Sequence, residues 1–151
     1  MRLLIVHHAP SENTQRLLEA ASDAAGDIDE SLEVVSLDSL TVDAARVREA
    51  DALLVATTEN FGGMAGRTKD FFERIYYPLG QDLAGLPFAC YIRAGEDGRG
   101  TVQGIERIVT GLRWRTVQPP LVLRGGWTPD MPGQVSELSA TLAAGLVAGI
   151  F

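Results

Sequence analysis

Two rhythms alternate along the chain. Short apolar runs, Leu3-Leu4-Ile5-Val6, 51–57 and 86–92, read as strands, and Leu32 to Leu37 reads as a β-branched, partly alternating one. Between them, apolar positions recur at helical spacing. Leu17, Leu18, Ala21 and Ala25 mark a first helix, and a short one over 42–50 turns Ala45 and Val47 inward. Phe71, Phe72, Ile75 and Tyr76 mark a third, ended by Pro78 and Gly80. Val102, Ile105, Ile108, Val109 and Leu112 mark a fourth, with Thr101 as its cap and Arg113 and Arg115 at its end, where the dipole favours cations. The last helix, over 134–150, turns Val135, Leu138, Leu142, Leu146 and Ile150 inward. A fifth strand over Thr116 to Leu123 contains Pro119-Pro120, which places it at a sheet edge.

Five strands alternating with five helices predict a doubly wound α/β fold with a parallel sheet in the order 2-1-3-4-5. Near-continuous apolar strands fit a sheet covered on both faces. The carboxyl ends of the first, third and fourth strands then lie side by side. The reversal of strand order beside the first strand is where such sheets bind ligands. The three loops of unusual composition follow these three strands. No repeat, low-complexity tract or linker divides the chain, so residues 1–151 read as one domain.

Composition narrows the ligands. The net charge is −7, which sets aside nucleic acid and anionic membranes as partners and requires that any anion be held by local dipoles. The one cysteine, Cys90, sits in an apolar run and excludes an intrachain disulfide or a cysteine-rich metal site. No signal peptide precedes the first strand, and the apolar tail from Leu142 to Phe151 is too short to span a bilayer, so a cytoplasmic location is expected.

The first strand runs into His7-His8-Ala9-Pro10-Ser11-Glu12-Asn13-Thr14-Gln15 and then a helix. Such a turn leaves helix-start N–H groups unpaired and adds partial positive charge. Ser11, Asn13, Thr14 and Gln15 would seat a phosphate there, with His8 bordering the pocket. The plainer reading is an ordinary helix cap. Thr58-Glu59-Asn60-Phe61-Gly62-Gly63-Met64 follows the third strand; its glycines let backbone approach a flat ligand, and Phe61 and Met64 offer soft apolar surface. The plainer reading has Phe61 and Met64 plugging the core. Ala94, Gly95 and Glu96, after the fourth strand, would form the other side of the slot. A phosphate seat beside a flat slot suits FMN.

Asn60-Phe61-Gly62-Gly63-Met64-Ala65-Gly66, followed by Lys69 and Phe72, resembles the flavin-ring loop of the flavodoxin-like superfamily, in its NADPH-dependent FMN reductase and quinone reductase branch. Asn13 and Thr14 match that family's phosphate loop, whereas Ala9 stands for its hydroxyl residue and Glu12 for its glycine. A carboxylate beside a phosphate is unfavourable unless it points to solvent. The resemblance implies FMN as the redox group, with the protein tuning its chemistry.

No metal set or catalytic residue emerges. His7 and His8 point to opposite faces of a strand, and no third ligand completes a zinc site. Gly-x-Gly-x-x-Gly is absent after the first strand, and that strand ends in histidines rather than the acidic residues of a receiver domain. Two readings remain open. One is a reductase passing electrons from NAD(P)H to a quinone or similar small-molecule acceptor. The other is an electron carrier or binding module docking a redox partner protein, with homo-oligomerisation left open. Little preference between NADH and NADPH is expected, Arg67 and Arg99 being the nearby cations that could change that by pairing with a 2′-phosphate.

Overall fold

The structure is a computed structural model and describes residues 1–151. Its strands and helices are β1 (Arg2–His7), α1 (Glu12–Gly26), β2 (Glu33–Asp38), α2 (Ala44–Arg48), β3 (Ala52–Asn60), β4 (Gly63–Met64), α3 (Gly66–Leu79), β5 (Pro87–Ala94), α4 (Arg99–Gly111), β6 (Arg115–Thr116), β7 (Leu121–Arg124) and α5 (Met131–Val147). The parallel sheet runs β2-β1-β3-β5, and β6 and β7 both pair with the outer side of β5. This is the doubly wound order expected from the sequence, with its fifth strand at the edge.

Alternation along the strands builds two cores. Leu4, Val6, Val55 and Ile92 face one side with Phe71, Phe72 and Ile75 of α3 and Ile105 and Val109 of α4. Leu3, Ile5, Leu54 and Tyr91 face the other with Leu17 and Ala21 of α1 and Val135 and Leu142 of α5. Ser139 donates from α5 to the Ala21 carbonyl at 2.7 Å, so α1 and α5 pack closely through small residues. Cys90 is buried, and its thiol is pushed up to about 12 by desolvation, then by Glu106. It packs as a small apolar residue of the core.

Four expectations need correction. The fifth strand is not continuous: Pro119 and Pro120 have no N–H to give, so the chain leaves the sheet after Val117 donates to Phe88 and rejoins it at Leu121. Thr101 is not a cap. Gly98, at φ 68°, caps α4, and Thr101 is buried inside the first turn with its hydroxyl unpaired. Ala45 is exposed, because the short α2 turns Ala44 and Val47 inward instead. Ile150 is exposed beyond the end of α5; its N–H returns to the Gly145 carbonyl, and the Phe151 ring takes the inward place against Gly145. No helix is long and apolar enough to cross a membrane.

Candidate functional site

The switch point lies between β1 and β3. At the end of β1 the His8 N–H donates to the Ala56 carbonyl, and the Ser39 N–H donates to His7, so the turn leaves from a fixed place. Ser11 and Thr14 form a reciprocal cap. The Thr14 N–H donates to Ser11 Oγ at 3.2 Å, and the Ser11 N–H donates to Thr14 Oγ1 at 2.9 Å. The Gln15 N–H donates to the Ser11 carbonyl. Three donors near the helix start are thereby spent inside the chain, as the plainer cap reading requires. The N–H groups of Ala9, Glu12 and Asn13 have no partner in the fold, and the Asn13 side chain is half-buried. The donors left free for an anion are therefore fewer than the sequence suggested: these three N–H groups and the Asn13 side chain. Glu12 does not crowd them: its side chain is 83% exposed and pairs with Arg16 at 2.9 Å.

His8 is half-buried. Desolvation holds its pKa below the ordinary value, Arg67 lowers it further, and Asp38 partly opposes both. His7 is held down by burial, offset by Asp38, and its Nδ1 is buried without a partner. Both rings stay neutral near pH 7, so charge attraction for an anion here comes from Arg67 and the α1 N-terminus. Arg67 is a basic residue in the first turn of α3, against that helix's own dipole.

After β3 the chain makes a tight hairpin. Glu59 pairs with Met64 and Asn60 with Gly63, leaving Phe61 and Gly62 as its two turn residues. Both have positive φ, 52° and 75°, the conformation that a two-residue turn of this hand requires. Glycine adopts it freely; phenylalanine is strained there. Phe61 is nevertheless fully exposed and contributes no core packing. Met64 does the opposite. Its side chain is half-buried against the α3–α4 core and reaches Gly104 on α4. The two residues therefore part company: Met64 plugs, and Phe61 is presented.

Glu59 ties this hairpin to the loop after β5. Its carboxylate accepts the Glu96 N–H at 2.9 Å and the Gly98 N–H at 2.7 Å. Thr58 donates to the Asn60 amide oxygen. Gly100 completes the junction: a Cβ there would stand 1.8 Å from the Gly62 carbonyl oxygen. Around Gly62 and Gly95, by contrast, a Cβ would meet nothing within 4 Å. Open space on these backbones, an exposed aromatic ring and unpaired donors across the switch point fit a flat, phosphorylated cofactor such as FMN.

The fold thus brings together His8, Asn13, Phe61, Gly62, Gly63 and Gly95 at the carboxyl edge of the sheet, while Ser11, Thr14, Glu59 and Met64 hold the loops that present them. Gly98 and Gly100 take roles that depend on residues distant in the chain, Glu59 for one and Gly62 for the other, which the sequence alone does not show. A depression of about 720 Å3 on α4, beside Gln103, Gly104 and Arg107, begins at Gly100 of the junction and is lined by no hydrophobic residue.

No family model matches the sequence, and no curated protein matches it. Solved structures do match its fold. A flavodoxin from the domain Archaea superposes with a TM-score of 0.82 at 17% identity, covering 97% of this chain and 99% of its own. A flavodoxin, WrbA-like protein from Agrobacterium tumefaciens gives 0.77 at 14% identity, with 97% and 98% covered. The rubredoxin oxygen:oxidoreductase of Desulfovibrio gigas gives 0.79 at 14% identity, covering 99% of this chain but 37% of its own. The chain has a flavodoxin-like fold.

Proposed function

We propose that this chain is a single flavodoxin-like domain that binds FMN and passes electrons from NAD(P)H to a quinone or similar acceptor. One observation carries the reading. Two glycine-rich loops, after β3 and β5, are locked together by Glu59 beside a helix start with unpaired donors, and an exposed Phe61 stands at their rim. FMN, when bound, supplies two-electron chemistry between a nicotinamide donor and a quinone.

The chain's own residues do the rest. The N–H groups of Ala9, Glu12 and Asn13 hold the phosphate, and the helix dipole supports them. Gly62, Gly63 and Gly95 let backbone come close to the ring edges. Phe61 offers an aromatic face at the mouth of the slot, and Glu59 fixes the spacing of its two walls. Neutral His8 borders the seat without adding charge.

A second reading, an electron carrier without nicotinamide chemistry, has one observation in its favour. This chain and the archaeal flavodoxin cover 97% and 99% of one another, so it has no inserted element to build a donor pocket. Flavin titration followed by NAD(P)H–quinone turnover separates the two readings. Gly63→Val tests the slot itself. A Cβ at Gly63 meets only the Asn60 carbonyl oxygen, at 4.0 Å, so the first added carbon does not clash with the fold, and circular dichroism checks that the variant is folded. It should lose FMN binding and turnover together. Wild-type values for both would sink the slot, and flavin binding without NAD(P)H oxidation in the unaltered protein would make it a carrier.

A further inference from the structure

The chain carries four sulfur atoms, on Met1, Met64, Cys90 and Met131. Cys90 and Met131 lie inside the two cores, 1% and 3% exposed, out of reach of a dissolved oxidant. Met1 is half exposed, but its side chain packs into neither core. Met64 alone is both reachable and engaged. It is half-buried against the α3–α4 core, and a Cβ on Gly104 would stand 2.9 Å from its Cε. The polar depression on α4 is lined by Gly100 and Gly104, so solvent stands beside this contact.

Glu59, Gly62 and Met64 dock the hairpin on the rest of the fold. The first two do so through polar groups: the Glu59 carboxylate accepts the Glu96 and Gly98 N–H groups, and the Gly62 carbonyl lies against Gly100. Met64 supplies the apolar contact. Together they hold a turn that would otherwise relax, because Phe61 is kept at φ 52° with no packing of its own. A strained hairpin held in part by one flexible thioether has a second arrangement open to it, released from α4.

Hydrogen peroxide can throw that switch in one step. A sulfur lone pair attacks one peroxide oxygen, an S–O bond forms as the O–O bond breaks, and the other oxygen leaves as water with both protons. Sulfur is oxidised by two electrons and the peroxide is reduced by two. The sulfoxide oxygen needs hydrogen bonds that an apolar contact does not offer, so the side chain turns to water. A thiol-dependent methionine sulfoxide reductase reverses the step: two thiols become a disulfide, and the oxygen leaves as water.

We propose that Met64 is a reversible oxidation site, and that its sulfoxide releases the β3–β4 hairpin from α4 and opens one wall of the slot. The consequence for FMN rests on the flavin reading; the release of the hairpin does not.

The test treats the full chain, without flavin, with hydrogen peroxide. Peptide mass spectrometry places each added oxygen. Amide exchange reads the hairpin at Ala65, whose N–H closes its base on the Thr58 carbonyl at 3.1 Å. Met64 should gain oxygen at least about tenfold faster than Met131. Exchange at Ala65 should then speed by about tenfold or more, while amides of β1 keep their protection. Met64→Leu keeps an apolar plug without an oxidisable sulfur, so peroxide should leave its Ala65 exchange unchanged. Met64→Gln places a polar group there permanently and should exchange fast without peroxide. Protected β1 amides show that each variant is folded. Reductase and thiol should restore slow exchange in the oxidised chain. Oxidation of Met64 no faster than of Met131, unchanged exchange at Ala65 once Met64 is oxidised, or an equal response in Met64→Leu would overturn the proposal. Flavin titration of the oxidised protein is the second arm, and affinity should fall by about tenfold or more. Hairpin release in a chain that never takes up FMN would support the switch and refute the flavin reading. Release with FMN affinity unchanged would overturn the control of the slot.

Discussion

Removing the charge from Glu59 should loosen the two loops without unfolding the sheet. The carboxylate accepts two backbone N–H groups, from Glu96 at 2.9 Å and Gly98 at 2.7 Å. Glu59→Gln keeps one oxygen of the same size and turns an NH2 toward the second donor. One charge-assisted bond becomes neutral, and the other is replaced by two donors facing each other. A bond to a charged group contributes about 1.5–3 kcal/mol and a neutral one about 0.5–1.5 kcal/mol. Glu59 is half-buried, so solvent screens part of this, and a net loss of about 1–2 kcal/mol is expected.

That loss is local, so amide hydrogen exchange is the right measurement. Exchange at Glu96 and Gly98 should speed by about tenfold, since 1.4 kcal/mol is one decade, while amides of β1 and β3 keep their protection. FMN affinity should fall with it, because a slot whose walls move must be ordered again on binding. Unchanged exchange at both amides would refute the clasp. Faster exchange across the whole sheet would show instead that Glu59 stabilises the fold globally and has no special hold on the loop.

Gly100→Ala should destabilise the protein by about 1–3 kcal/mol in urea unfolding, because the new methyl meets the Gly62 carbonyl oxygen at 1.8 Å and backbone must shift. Gly133→Ala, in the first turn of α5 with nothing within 4 Å, is its control and should leave stability unchanged or slightly raised. The two histidines predict an acid-sensitive fold. Burial holds both His7 and His8 below the ordinary value of 6.5, so around and below that pH the unfolded chain binds more protons than the folded one. Unfolding free energy should therefore fall as pH drops from about 7 to about 5, and His7→Gln should flatten the slope. A flat profile in the unaltered protein over that window would contradict the buried, neutral state of these rings.

What could be read from sequence was what depends on near neighbours or on period. The apolar runs of β1, β3 and β5 and the helical stripes of α1, α3 and α4 are local patterns, and the strand order followed from them with the edge prolines. Boundaries failed where a local rule met a tertiary one. Pro119-Pro120 marked an edge, but an edge strand can also leave the sheet and return, which depends on Val117 still reaching Phe88. Thr101 is a good capping residue by type, yet the glycine three positions earlier adopts the left-handed conformation first and draws Thr101 inside. Ile150 keeps the helical spacing of α5, but Gly149, at φ 66°, ends the pattern and Phe151 takes the inward place.

The candidate site was harder for the same reason. Its residues were visible as types, but each role was set by a partner far along the chain. Glu59 stood in a glycine-rich loop and read as a ligand contact; its partners are Glu96 and Gly98. Phe61 and Met64 share one loop and one chemistry, but Met64 turns inward onto the α3–α4 core and against Gly104, while Phe61 stays out in the turn. Arg99 read, with Arg67, as a cation near the slot, but its cavity is shared with Arg124 of β7. A loop's composition therefore says that backbone will be exposed at the carboxyl edge of the sheet. Which of its side chains remain free for a ligand is decided by the neighbouring loop, and in this chain Glu59, by joining the two, makes that choice for both.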